Sequence, residues 1–225
     1  MSKFVSIAID GPAGAGKSTM ARACAKELGY LYVDTGAIYR TVGYYMRLMG
    51  VGPKDKDGIA RLIDEVNIDI RYEDGVQHMI LNGTDVTDEI RTPEMSQVAS
   101  LISAQPAVRA FLLDLQRDMA KRYSVVMDGR DIGTVVLPQA DVKIYLTASP
   151  EVRARRRMGD LEAQGCASSY ERVLEEIRQR DHQDMTRPIA PLKQARDAVV
   201  LDTSSLSKAE SLAAMKAIIQ ERIAP

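Results

Sequence analysis

Short apolar runs alternate with longer amphipathic stretches along most of the chain. The runs are rich in valine and isoleucine, which is typical of strands buried on both faces of a parallel sheet. They lie at residues 4–10, 30–34, 124–128, 142–148 and 198–203. The amphipathic stretches predict helices at residues 18–28, 38–49, 58–66, 93–104, 106–121, 150–165, 170–184 and 208–223. The alternation predicts a three-layer α/β fold with a five-stranded parallel sheet.

One segment departs from this alternation. Residues 67–92, NIDIRYEDGVQHMILNGTDVTDEIRT, alternate apolar and polar positions and contain the turn dipeptides Asp74-Gly75 and Asn82-Gly83. That pattern predicts a small antiparallel sheet of two or three strands. We therefore expect a single unit over residues 1–225, with a core at 1–60 and 92–225 and a β insert at 61–91.

The first predicted strand runs into a glycine-rich loop, GPAGAGKST, which a predicted helix follows directly. Its glycines let backbone N–H groups approach a phosphate, and the helix N-terminus favours an anion. The stretch matches the P-loop pattern GxxxxGK[ST], in which Lys17 would contact the β and γ oxygens of a nucleoside triphosphate and Ser18 would hold Mg²⁺. The predicted binding residues are Gly11, Pro12, Ala13, Gly14, Ala15, Gly16, Lys17, Ser18 and Thr19.

Charge and composition exclude several other classes of protein. The 225 residues carry 30 Lys and Arg against 31 Asp and Glu, for a net charge of -1. This balance is not typical of a protein that coats nucleic acid or an anionic membrane. No apolar stretch approaches the ~20 residues that span a bilayer, and the N-terminus lacks a signal-peptide layout, so we expect a cytoplasmic protein. The two cysteines have no CxxC spacing, and neither histidine lies near a nucleophile signature.

Two further motifs follow predicted strands and indicate a phosphate acceptor other than water. VDTGAIYR, residues 33–40, places Tyr39 where it can flank a ring and Arg40 where it can grip a phosphate. DGRD, residues 128–131, ends a buried strand, where Asp128 can order the waters of Mg²⁺ while Arg130 and Asp131 enter the crevice. The chain has neither the NKxD motif of GTPases nor an LSGGQ-like stretch.

A basic run, RARRR at residues 153–157, lies in a predicted helix. Helical spacing places Arg153, Arg156 and Arg157 on one face, where they could neutralise charge on a transferred phosphoryl group or form a solvated surface. If the acceptor is itself a phosphate monoester, it is largely deprotonated near neutral pH, and its phosphorylation needs no catalytic base. We predict Lys17, Asp128, Arg130, Arg153 and Arg157 as catalytic residues.

The order of six motifs along the chain resembles that of bacterial cytidylate kinases, the CMP/dCMP kinases. These motifs are GPAGAGKST, VDTGAIYR, EIRT, DGRDIGTVV, RARRRM and IRQRDHQDMTRPIAPL. The resemblance runs from residue 4 to the C-terminus, and YR, DGRD-x-GT and RD-x-x-D-x-x-R are its most specific parts. It implies that the β insert binds the nucleoside monophosphate and that residues 151–170 form a mobile lid over ATP.

The resemblance also implies roles for individual residues. Arg40 and Arg130 would hold the CMP phosphate. The residues around the cytosine would be Thr35, Arg109, Asp131 and Arg187, with threonine at 35 where the family often has serine. Ser100, Arg180 and Asp184 would contact the sugar.

We therefore expect an ATP- and Mg²⁺-dependent kinase that converts CMP or dCMP to CDP or dCDP in pyrimidine nucleotide metabolism. The expected partners are small nucleotides, without nucleic acid or membrane, and a monomer requires no further assumption. Two alternatives stay open. One is a related P-loop kinase, for example one that acts on UMP, and the other is a nucleotide-binding regulatory module.

Overall fold

The computed structural model describes residues 4–163 and 165–223. Its strands are β1 (Ser6–Asp10), β2 (Leu31–Asp34), β3 (Ile68–Glu73), β4 (Val76–Leu81), β5 (Thr84–Asp85), β6 (Val125–Gly129), β7 (Val142–Thr147) and β8 (Val199–Asp202). Within the described residues, five strands pair in parallel in the order β2-β6-β1-β7-β8, while β3, β4 and β5 pair as a separate antiparallel sheet. The predicted fold class is confirmed, and the small sheet has three strands.

Helices cover both faces of the parallel sheet. They are α1 (Lys17–Leu28), α2 (Thr35–Leu48), α3 (Lys56–Leu62), α4 (Pro93–Ile102), α5 (Pro106–Arg122), α6 (Pro150–Ala163), α7 (Tyr170–Thr186) and α8 (Lys208–Ile223). Alternate side chains of the central strands point to opposite faces. Ala8 and Met127 pack toward α2 and α5, whereas Ile7 and Val126 pack toward α1 and α8. Burial on both faces explains why these strands are continuous apolar runs in the sequence.

The two turn dipeptides of the small sheet adopt the backbone that their composition predicts. Asp74 and Gly75 have φ of 51° and 76°, and Asn82 and Gly83 have φ of 48° and 86°, as tight hairpin turns require. The helix predicted at 58–66 is instead α3 followed by a short 3-10 turn at Ile63–Glu65. The division into core, insert (61–91) and lid (151–170) stays a prediction. Its residues 1–3, 164 and 224–225 lie outside the described residues.

Helix α2 begins three residues earlier than predicted, directly at the end of β2. The Asp34 side chain accepts a hydrogen bond from the Ala37 N–H at 2.9 Å and so caps the helix. Thr35 therefore lies in the first turn of α2, next to the sheet. After β6 the chain forms a π-helical turn at Ile132–Val136, which the sequence did not predict.

In the described ranges no single helix is long and apolar enough to cross a membrane. The pair α4 and α5 has the required length and composition only jointly, with a bend of 101° between its helices.

Candidate active site

A cleft of about 1010 Å³ opens at the carboxyl ends of β1, β2 and β6, between the P-loop and helices α4, α6 and α7. Most of the predicted site residues line this cleft. They are residues 13–19 of the P-loop together with Thr35, Tyr39, Arg40, Ser100, Arg109, Asp128, Arg130, Asp131, Arg157, Arg180, Asp184 and Arg187. Gly11, Pro12 and Arg153 lie behind it. The fold thus brings together residues as far apart in the chain as Ala13 and Arg187.

The P-loop leaves the N-terminus of α1 open to the cleft. Gly14 and Gly16 adopt left-handed φ values of 73° and 91°, and no side chain caps the helix. A Cβ at Gly11 would overlap the carbonyl oxygen of Leu146, so only glycine fits there. Lys17 is buried, donates to the Pro12 carbonyl at 2.7 Å, and has its pKa lowered by burial and then by Arg130. Free N–H groups and a desolvated ammonium form a strong anion site.

Ser18 and Asp128 meet at the edge of the P-loop. The Ser18 hydroxyl donates to Asp128 Oδ2 at 2.9 Å, and the Tyr32 hydroxyl donates to Oδ1, also at 2.9 Å. Burial, and then the nearby Asp34 carboxylate, raise the pKa of Asp128 to about 6. A cation between the two carboxylates would relieve this repulsion, because a positive charge favours the ionised form of both.

This donor set fits Mg²⁺ better than a tightly caged metal. Mg²⁺ keeps several waters and uses one or two carboxylates together with substrate phosphates. Ser18 and Asp128 supply a hydroxyl and a carboxylate beside the phosphate-binding loop. No group of three or more His, Cys, Asp or Glu side chains in the described part of the chain forms an all-protein metal cage.

Three arginines converge on the cleft beside the P-loop with too few carboxylates to neutralise them. Arg40 Nη2 donates to Asp34 Oδ2 at 3.1 Å, and Arg130 Nε donates to Asp184 Oδ2 at 2.8 Å. The Nε groups of Arg40 and Arg180 are buried without a hydrogen-bond partner among the described residues. Burial, and then the charge of Arg130, lower the pKa of Arg180 to about 10. Buried N–H groups without an acceptor are costly, and an anion in the cleft would accept from them.

Farther along the cleft, Asp131 lies between two arginines. Arg109 and Arg187 each pair with one of its carboxylate oxygens, Arg187 at 3.1 Å. Both arginines also bond Ser103. Arg109 donates to its backbone carbonyl at 3.2 Å, and Arg187 donates to its hydroxyl at 2.9 Å. The guanidinium of Arg109 lies 5.8 Å from the centre of the Tyr39 ring. The cluster presents fixed donors and acceptors, as recognition of a planar polar base requires.

Ser100 and Asp184 are also in contact, since the serine hydroxyl lies 3.3 Å from Asp184 Oδ1. Burial opposes ionisation of Asp184, but the Arg130 guanidinium lowers the pKa of its carboxyl. The Thr35 hydroxyl donates to the backbone carbonyl of Asp128 at 2.7 Å. Its donor is therefore engaged with the end of β6, and only its lone pairs face the cleft.

The three arginines predicted to share a face of α6 have different surroundings. Arg153 is buried and makes a two-bond ion pair with Asp181, at 2.6 and 3.0 Å. Arg156 donates to the carbonyl of Thr203 at 2.8 Å, after the last strand. Arg157 lines the cleft and makes no hydrogen bond or ion pair with the described residues. Arg156 also lines the cleft, but its guanidinium is held by the hydrogen bonds to Thr203 and the P-loop carbonyl of Ala15. Of the three, Arg157 is thus the one whose guanidinium is not held by hydrogen bonds to the described residues.

Sequence reasoning missed three carboxylate or hydroxyl groups that organise the site. Asp10 ends β1 and accepts the N–H groups of Ile132 and Gly133, each at 2.7 Å, so it holds the π-helical turn after DGRD. Asp34 caps α2 and pairs with Arg40. Each of these aspartates is the last residue of a buried strand, and a carboxylate at that position in the sequence could have indicated a site residue. Ser103 follows α4 and had no such signal.

Comparisons with known proteins agree with this geometry. A family model described as cytidylate kinase matches residues 7–221. Curated proteins named cytidylate kinase resemble the chain over nearly its whole length. The protein from Carboxydothermus hydrogenoformans is 50% identical over 95% of this chain and 96% of its own. The protein from Mycobacterium leprae is 49% identical over 96% of both chains, and that from Exiguobacterium sp. is 47% identical over 98% of this chain and 99% of its own. A solved structure of an uncharacterized protein from Eubacterium ventriosum shares the fold, with TM-score 0.50 and 13% identity over 97% of this chain and 99% of that one.

Proposed function

This chain belongs to the cytidylate kinase family, and we propose that it transfers the γ-phosphate of ATP to CMP or dCMP, giving ADP and CDP or dCDP. The observation that carries the proposal is the group of Arg40, Arg130 and Arg180 beside the P-loop, with two buried Nε groups unpaired. A P-loop binds one phosphate chain. A second anion-binding group at its edge indicates a second phosphate, which is the acceptor.

In this proposal the P-loop holds the donor. The backbone N–H groups of residues 13–18 and the Lys17 ammonium would bind the β- and γ-phosphates of ATP. Ser18 and Asp128 would hold Mg²⁺, which supplies charge neutralisation between those phosphates when it is bound. The pKa of Asp128 is raised in the protein alone. A bound cation would lower that pKa and so favour the ionised carboxylate that holds the cation.

The acceptor site would work by orientation and charge rather than by proton abstraction. A nucleoside monophosphate has a second phosphate pKa near 6 and is largely dianionic at neutral pH. Arg40 and Arg130 would hold that dianion in line with the γ-phosphate, where a charge-assisted contact is worth roughly 1.5–3 kcal/mol. Holding both anions at bonding distance removes most of the entropic cost of their encounter.

Asp131 would read the cytosine base. Cytosine presents an N4 amino donor, and a carboxylate accepts from it, whereas uracil presents a carbonyl that a carboxylate repels. Arg109 and Arg187 hold Asp131 in place, and their remaining N–H groups can donate to the base. Ser100 and Asp184 would contact the sugar, with Arg180 beside them.

The lid would contribute Arg157 to the transferred phosphoryl group and exclude water from the cleft. Water exclusion favours transfer to CMP over hydrolysis of ATP. Arg153 is fully engaged with protein groups, so we assign it a positioning role between the P-loop and helix α7.

Release of ADP, measured with and without an acceptor, tests the proposal. We expect rapid turnover with CMP and dCMP, slower turnover with UMP, and little without a monophosphate. Faster turnover with UMP than with CMP would indicate a related uridylate kinase. Slow ADP release at the same rate with and without a monophosphate would indicate a regulatory module. We further propose a cytoplasmic monomer that acts on free nucleotides, which sedimentation at working concentration would test.

A further inference from the structure

A buried amide side chain of the β insert bonds the end of β2 in the parallel sheet. Gln77 on β4 is only 6% exposed. Its Oε1 accepts the backbone N–H of Asp34 at 2.8 Å, and its Nε2 lies 3.4 Å from the backbone carbonyl of the same residue. Because β2 is an edge strand of the parallel sheet, the amide of Gln77 takes the place of a neighbouring strand.

The residue that Gln77 holds organises the acceptor side of the cleft. The Asp34 side chain caps α2 through the Ala37 N–H at 2.9 Å and pairs with Arg40 at 3.1 Å. A small movement of the Asp34 backbone would therefore turn both the first helical turn and the Arg40 guanidinium. Arg40 has no other hydrogen bond to the described residues that would fix it.

We propose that Gln77 is a positioning residue for the acceptor phosphate: it fixes the backbone of Asp34 from the β insert and thereby aims Arg40. This inference rests on the proposed function, since it takes Arg40 to bind the acceptor. The β insert would then do more than border the acceptor pocket, because it would orient the Arg40 guanidinium that contacts the acceptor phosphate.

A merely structural role for Gln77 is the competing explanation, and the chain offers a matched control. Tyr72 lies directly opposite Gln77 in the β3–β4 register. Its hydroxyl also bonds β2, but at the carbonyl of Tyr32, 2.8 Å away and two residues before Asp34. Tyr72→Phe thus removes a hydrogen bond from the same interface without touching the residue that pairs with Arg40.

The first test compares Gln77→Met with Tyr72→Phe in the ADP-release assay, together with thermal unfolding. Methionine keeps the length of the side chain and removes both bonds to Asp34. For Gln77→Met we expect the KM for CMP to rise about fivefold to tenfold, with the KM for ATP changed by less than about twofold, because the lost bonds orient only the acceptor site. For Tyr72→Phe we expect a similar fall in Tm and an unchanged KM for CMP.

A double-mutant cycle with Arg40→Ala measures the coupling between Gln77 and Arg40. A purely structural role of Gln77, in holding the insert against β2, would give no such coupling. If Gln77 acts through Arg40, then Gln77→Met should raise the KM for CMP far less in the Arg40→Ala background than in the wild type. Additive effects, or equal KM changes in Gln77→Met and Tyr72→Phe, would overturn the inference while leaving the proposed function intact. Should Gln77→Met unfold, Gln77→Asn keeps the amide but is one methylene too short to bond both backbone groups of Asp34, and it must show the same selective rise in the KM for CMP. A wild type without CMP-dependent ADP release would overturn both.

Discussion

Replacing Arg153 by methionine separates a structural from a catalytic role for the basic run of α6. The Arg153 side chain is 3% exposed and makes four hydrogen bonds. Nε donates to the Ala148 carbonyl at 2.8 Å, and Nη1 donates to the Ala13 carbonyl at 3.0 Å. The remaining two bonds go to the Asp181 carboxylate, at 2.6 and 3.0 Å. Arg153, on α6, thus joins the P-loop to α7.

The expected cost follows from what Arg153→Met leaves behind. Removing one partner of a buried ion pair costs roughly 3–5 kcal/mol, because the other charge stays buried without compensation. The Asp181 side chain is 12% exposed, so partial solvation favours the low end, about 3 kcal/mol. In a chain of this size that corresponds to a fall in Tm of about 6–12 °C.

Arg157→Met is the matched control, since it removes the same charge four residues along the helix from a side chain that has no hydrogen-bond or ion-pair partner in the described ranges. We expect its Tm to change by less than about 1 °C and its kcat to fall by roughly 100-fold, as for loss of one transition-state donor. Adding Asp181→Leu to Arg153→Met should recover much of the lost stability, because no buried charge is left unpaired. If Arg153→Met keeps its Tm and loses kcat as Arg157→Met does, the catalytic prediction from the sequence is correct and our positioning role is wrong.

Four further substitutions test separate parts of the site. Lys17→Met should lower kcat by about 100-fold or more while costing only about 1 kcal/mol of stability for the lost bond to a carbonyl, which steady-state kinetics and unfolding together would check. Arg40→Ala should raise the KM for CMP far more than that for ATP; the reverse would place it on the donor side. Asp131→Asn should narrow the CMP/UMP ratio of kcat/KM by roughly tenfold, and an unchanged ratio would exclude it as the base reader. Burial raises the pKa of Asp10 from 3.8 to about 6. The folded protein therefore binds more protons than the unfolded chain in this range, and its stability should fall relative to Asp10→Asn as pH rises from about 4 to about 6, as measured by denaturant unfolding.

The strands were predictable from the sequence because the sheet is covered on both faces, which makes each strand a continuous apolar run. The start of α2 was not. Asp34 and Ala37 have the spacing of a cap and its third helical residue, but Gly36 lies between them and glycine is unfavourable within a helix. The cap and the adjacent sheet outweigh that local preference.

The partners of the arginines on α6 could not be predicted, because helical spacing indicates which residues share a face but not which groups that face contacts. Arg153 finds its carboxylate 28 residues away on another helix. The same holds for Gln77, which lies 43 residues from Asp34. Such contacts depend on how elements pack, and that information is absent from any local pattern.

The DGRD motif shows how one short segment serves several subsites. Asp128 accepts from Ser18 of the P-loop, whereas Asp131, three residues later, pairs with Arg109 and Arg187. Between them Gly129 packs closely against Thr35, where a Cβ would lie 2.7 Å from the Thr35 hydroxyl.

Asp10 holds the turn that follows DGRD, from the residue directly before the P-loop. The P-loop and the turn after DGRD are therefore fixed to each other by backbone hydrogen bonds to one carboxylate. In the reaction that we propose, in-line transfer between two phosphates depends above all on their relative placement. The ends of β1 and β6 would set that placement, so the proposed transfer would rely on orientation rather than on a catalytic base.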